Sequence, residues 1–121
     1  MVVLYAGDND IAFGKTPGRV ATDFRTFANG VYAALPETQI LFLAIKSSIA
    51  RWELVEQMRA ANQLVRDECD RDLRLIYVDV DTPMIGSDGL PAPHFFVTDG
   101  LHLSAAGYAL WTQVVVSLLP S

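Results

Sequence analysis

Residues 1–7 read MVVLYAG, an unbroken apolar run rich in β-branched and aromatic side chains that stops at a glycine. A strand with one wet face alternates apolar with polar residues. A run without alternation suits a strand buried on both faces, as in a parallel sheet covered by helices. Residues 40–45 (ILFLAI) repeat the pattern, and residues 73–80 (LRLIYVDV) give a third strand. Between the strands the apolar spacing becomes helical. Thr16 is placed to cap a helix with Pro17 at its first position, and Val20, Phe24, Phe27, Val31 and Leu35 form its stripe before Pro36 ends it. Ser47 or Ser48 is expected to start a second helix running to about Asp70, with Leu54, Met58, Ala61, Val65 and Cys69 on its inward face. A loop of about twenty residues, long enough to suggest a functional role, then leads to a final helix. The order β-α-β-α-β-loop-α predicts one α/β domain over residues 1–121, a three-layer α/β/α sandwich with a parallel sheet and right-handed crossovers. In such sheets ligands sit beyond the carboxyl ends of the strands.

Composition narrows the functional classes. The 121-residue chain carries a formal charge of −5, and its nine basic residues are scattered, which argues against a nucleic-acid surface. No stretch approaches the ~20 apolar residues of a membrane span. A single Cys69 forbids an intrachain disulfide and fits a reducing compartment, weakly favouring the cytoplasm. As a nucleophile Cys69 is disfavoured, because Asp67, Glu68 and Asp70 oppose a thiolate; it reads as structural.

The chemistry concentrates in two places. Residues 99–108 (DGLHLSAAGY) put Asp99 and His102 three apart, with Gly100 allowing a tight turn between them. Ser104 is suited to cap the last helix, and Leu103, Leu110, Trp111, Val114, Val115 and Leu118 form the stripe that docks it. A helix N-terminus nearby disfavours imidazolium, leaving His102 neutral as a general base must be, and Asp99 can set its tautomer. A histidine that merely packs in a loop fits the same residues. Residues 7–10 (GDND) follow the first strand, where the Asn9 amide can donate to a developing oxyanion. The same residues suit an Asx-turn.

Other motifs carry less. Gly14, Lys15 and Thr16 sit between a strand and a helix, but a phosphate loop needs a glycine five residues before Gly14, where Asn9 stands. A nucleotide-binding module is therefore a distant alternative. Asp79 and Asp81 open like a calcium loop, yet Pro83 occupies its fifth position and no closing Glu follows. No His and Cys cluster at ligand spacing, so no metal and no cofactor is expected. His94 reads as solvent-facing.

Taken together, GDND after a strand and DGLHLSAAGY before the last helix resemble the SGNH (GDSL-type) hydrolase family. Gly7, Asn9 and Asp10 match its G-x-N-D block, and Asp99 and His102 match its D-x-x-H block. The segment IKSSIARW after the second strand extends the likeness along essentially the whole chain. The resemblance implies a flavodoxin-like parallel sandwich that hydrolyses carboxylic esters of small molecules. It implies His102 as general base, Asp99 as its orienting acid and Asn9 as an oxyanion donor. The family's first two blocks, with the nucleophilic serine and a glycine, have no counterpart. In the order 2-1-3-4-5 the three strands seen would be the last three, with about sixty residues and two strands missing. The nucleophile is thus unassigned; Ser47, Ser48 and Ser104 read as caps. The first strand, from Met1 to Ala6, would then be an exposed edge inviting a homodimer. A catalytically inactive, dimeric remnant is the alternative to an esterase.

Overall fold

The computed structural model describes residues 1–119. Three strands, β1 (Val2–Leu4), β2 (Ile40–Leu43) and β3 (Leu75–Val78), pair in parallel in the order β1-β2-β3. Val2 lies opposite Ile40, and Phe42 opposite both Leu4 and Tyr77. The helices are α1 (Asp8–Ala12), α2 (Pro17–Ala34), α3 (Val55–Asp70) and α4 (Ala105–Val116).

The side-chain alternation of β2 shows why its sequence is apolar throughout. Ile40 and Phe42 point to one face and pack with Val20, Phe24 and Ala28 of α2 and Met58, Ala61 and Val65 of α3. Leu41 and Leu43 point to the other face, where Val78 and Val80 meet Trp111, Val114 and Val115 of α4. The result is the expected α/β/α layering, with α2 and α3 on one face and α4 on the other. Both crossovers advance the sheet in the same direction, so crossovers of one hand put α2 and α3 on the same side.

Several local expectations need correction. In place of the Asx-turn that GDND suits, residues 8–12 form α1. Gly7 has φ +115°, which lets the chain turn directly from strand to helix, and Ile11 fixes the helix by burying its side chain. A Cβ on Gly7 would lie 2.6 Å from Ile45 Cδ1, so a side chain there would crowd Ile45 as well as strain the backbone. The second long helix starts later than Ser47 or Ser48. The 3₁₀ turn Trp52–Leu54 precedes it and α3 proper begins at Val55. The intervening backbone finds tertiary partners instead. Asn62 brackets Ile45, accepting from its N–H at 2.8 Å and donating to its carbonyl at 3.0 Å, and Asp81 accepts from Ser47 N–H at 2.6 Å.

Thr16 does cap α2, accepting from Arg19 N–H at 3.1 Å. On that helix Val20 and Phe24 are buried, whereas Phe27 and Leu35 are exposed and Ala28 takes an inward place. The third strand is shorter than the run that announced it, and Leu73 is 97% exposed. The long loop is not featureless. It holds two 3₁₀ turns, Thr82–Met84 and Pro93–Phe95, and is pinned by antiparallel bridges between Ile85 and Pro91 and between Phe96 and Leu103. Ser104 caps α4, accepting from Gly107 N–H at 3.2 Å. Leu103 is buried as expected, but Leu118 is exposed.

Candidate active site

Asp99 and His102 form a compact local unit at the start of the α4 approach. One Asp99 oxygen accepts from the backbone N–H of Leu101 at 2.8 Å and of His102 at 2.9 Å. The other lies 2.5 Å from His102 Nδ1. These bonds, that of the imidazole first, lower the Asp99 pKa to about 2. The carboxylate therefore stays ionised and pins one ring nitrogen, so Nε2 is left to exchange a proton. The His102 side chain is 73% exposed and reaches solvent freely. Gly100, at φ +66°, makes the turn between the two residues.

Asn9 stands on the first turn of α1, just past the end of β1, and its side chain is tied to the loop after β2. Arg51 Nη1 donates to Asn9 Oδ1 at 2.9 Å and to Asp8 Oδ1 at 2.7 Å. The same loop grips the histidine turn, because Ala50 N–H donates to the Gly100 carbonyl at 3.0 Å. Asn9 and the Asp99–His102 pair are thus brought to one rim of the sheet through residues 49–51.

Beneath Asn9 lies a buried charge cluster absent from the sequence reading. Lys46 Nζ donates to Asp8 Oδ2 at 2.7 Å, and both side chains are less than a tenth exposed. Tyr5 donates its phenol to the same Asp8 oxygen at 3.1 Å, and its ring meets Trp111 edge-on at 5.0 Å. Burial alone would raise the Asp8 pKa, but the hydrogen bonds and charges of Lys46 and then Arg51 outweigh it and hold the carboxyl below its ordinary range. Burial, with the Asp8 charge, pushes the Tyr5 phenol well above its own. The signal in the sequence was Lys46 itself, a cation directly after six apolar residues.

The three serines considered as nucleophiles are otherwise engaged. Ser47 and Ser48 are buried, and Ser48 Oγ accepts from Arg51 N–H at 3.2 Å. Ser104 Oγ donates to the His94 carbonyl at 2.7 Å while capping α4. His94 is exposed beside the Phe95 ring. Lys15 is claimed by Asp23 at 3.2 Å and Asp10 at 3.5 Å, the arrangement of a helix start rather than a phosphate cradle.

Two cavities differ in where they lie relative to the histidine turn. One of about 340 Å³ is lined by Ile49, Trp52, Asp88, Leu90, Pro91 and Pro93. It adjoins the histidine turn, since Ile49 packs against Gly100. Another, about 670 Å³, lies among Met1 and residues 34–39 at the opposite end of the sheet, away from the candidate residues.

An open parallel sheet covered by helices, with an acid–imidazole pair beyond the carboxyl ends of its strands, places the chain in the α/β class. The GDSL-like lipase/acylhydrolase family profile matches residues 1–110, and the chain belongs to that family. A GDSL-like lipase from Bacteroides thetaiotaomicron superposes with a TM-score of 0.80 at 17% identity, over 97% of this chain and 60% of that one. The esterase domain of the ZfL2-1 ORF1 protein from a zebrafish retrotransposon gives 0.72 at 24% identity, over 93% and 64%. A family 3 carbohydrate esterase from Clostridium thermocellum gives 0.65 at 19%, over 97% and 56%. The chain therefore spans about three-fifths of the length of these structures. No curated protein matches it by sequence.

Proposed function

We propose that residues 1–121 are a single, partial hydrolase domain that acts on carboxylic esters of small molecules, with His102 as general base, Asp99 as its orienting acid and Asn9 as oxyanion donor. The observation that carries this reading is the 2.5 Å contact between Asp99 and His102 Nδ1. Family membership and solved relatives described as a lipase and as esterases support the ester chemistry. In the reaction of this chain, His102 Nε2 takes a proton from water as the oxygen adds to the ester carbonyl. The Asn9 amide donates to the resulting oxyanion. Collapse expels the alcohol oxygen, which recovers the proton from the imidazolium, leaving acid and alcohol. The apolar cavity at Ile49, Trp52 and Leu90 takes the hydrocarbon part of the ester. Among the described residues no nucleophile is assigned, and the step written here uses water.

Hydrolysis of short-chain p-nitrophenyl esters by the chain and by His102→Ala tests the proposal. The expected result is activity that disappears with the imidazole. Equal rates in the two proteins would refute it. Asn9→Ala should cost about 10²–10³ in kcat if the amide serves the oxyanion.

A second reading, an inactive homodimer, rests on β1, which pairs with β2 alone among the described residues and where Met1 is 51% and Val3 48% exposed. An unpaired apolar strand is a template for a second copy. Light scattering at the mass of a monomer, together with measurable His102-dependent hydrolysis, would exclude that reading.

A further inference from the structure

We infer that Arg51 is the positioning residue that aims the Asn9 amide, an assignment that rests on the oxyanion role proposed for Asn9. An asparagine side chain presents an acceptor oxygen and a donor nitrogen, and rotation by half a turn exchanges them. Only one orientation suits an oxyanion. A guanidinium carries five donors and no acceptor, so the Asn9 atom 2.9 Å from Arg51 Nη1 has to be the oxygen. The amide nitrogen is thereby turned away from Arg51, and it makes no hydrogen bond among the described residues. It is left as a donor with unused capacity at the rim. In the opposite orientation, two donors would face each other.

Arg51 can impose this because it is itself anchored. Its Nη1 also donates to Asp8 Oδ1 at 2.7 Å, and Asp8 is held by Lys46 from below. The guanidinium thus spans residues 8 and 9 from a single nitrogen. Its own backbone N–H is tied to Ser48 Oγ at 3.2 Å, and the preceding Ala50 N–H holds the Gly100 carbonyl. One short loop therefore orients the donor on one side and supports the histidine turn on the other. Because Arg51 acts through Asn9, it has no need to touch the ester.

The test combines kinetics with a direct view of the amide. In wild-type protein the Asn9 side-chain ¹⁵N order parameter should be that of a fixed group, and in Arg51→Ala it should fall below about 0.6. Arg51→Ala should lower kcat tenfold or more with KM little changed, and added methylguanidinium should restore part of the loss. In an Asn9→Ala background, Arg51→Ala should cost nothing further in kcat. Arg51→Lys keeps a charge for Asp8 but lacks the planar fork. It should hold the melting temperature yet still loosen the amide, and it decides the matter if Arg51→Ala does not fold. An Asn9 amide equally ordered without the guanidinium would overturn the inference. So would an equal kcat loss from Arg51→Ala whether or not Asn9 is present. Failure of the esterase reading would show separately, as rates indifferent to His102→Ala, and the order parameter would still judge Arg51.

Discussion

Replacing Asp8 by asparagine removes one negative charge from a buried cluster and changes almost nothing in shape. Lys46 Nζ, 2.7 Å from Asp8 and with its side chain only 7% exposed, would keep its charge and lose its counter-ion. Removing one partner of a buried pair costs about 3–5 kcal/mol, because the survivor stays desolvated without compensation. Against a total stability of about 5–15 kcal/mol, that is a large share. In urea unfolding, the midpoint should fall by about 2 M. The pH dependence gives a second signature. The folded-state pKa of Asp8 is depressed, so its contribution is fully present above the unfolded carboxylate value and is lost as pH falls through the folded one. Wild type and Asp8→Asn should therefore converge in acid. Adding Lys46→Met to Asp8→Asn should recover much of the loss by removing the unpaired cation. A variant within about 1 kcal/mol of wild type at neutral pH would refute the reasoning. So would a double variant weaker than the single one.

Four further outcomes are expected. Asp99→Asn should lower esterase kcat by about 10³–10⁴ through the wrong imidazole tautomer. Because the Asp99 carboxyl titrates at about 2, its own protonation should leave the wild-type pH–rate profile unaffected above about pH 4, and its contribution should fade only as pH falls toward that value. Cys69, whose thiol is pushed up to about 11 by burial and then by the Asp70 charge, should resist a disulfide reagent at pH 8 until the protein is unfolded by urea. Gly107→Ala should reverse the usual gain of alanine in a helix. The new Cβ would lie 2.4 Å from the Phe95 carbonyl oxygen and 3.0 Å from Leu103 Cδ2, so thermal unfolding should show a loss of about 1–3 kcal/mol.

The parts of this protein legible in its sequence are those whose cause is local. The strands could be read because β2 is covered on both faces, so Ile40, Leu41, Phe42 and Leu43 all have to be apolar. Asp99 and His102 could be paired because only three residues and one turn separate them. The expected start of α3 at Ser47 or Ser48 rests on their capping chemistry, whereas the backbone there is held from far along the chain, Ser47 N–H by Asp81 and the preceding Ile45 by Asn62. Helix α1 escaped notice because five residues are too few for a periodic pattern.

The cluster under Asn9 is the instructive case, since its cause is distant but its need is local. Lys46 follows ILFLAI without a break, and a strand buried on both faces delivers its next residue to the rim still shielded from water. A shielded ammonium has to find an anion, or it does not stay charged. In a parallel sheet the carboxyl ends of neighbouring strands lie side by side, so the anion is to be sought just after β1 or β3. Asp8 opens the helix that comes after β1, with three residues intervening, and Asp79 and Asp81 follow β3. Asp81 is taken by the Ser47 N–H, and Asp79 by the backbone N–H groups of Asp81 and Thr82. Asp8 remains, and the pair it makes with Lys46 fixes the residue immediately before Asn9. The charge that the apolar run could not solvate thus anchors the backbone beside the proposed oxyanion donor.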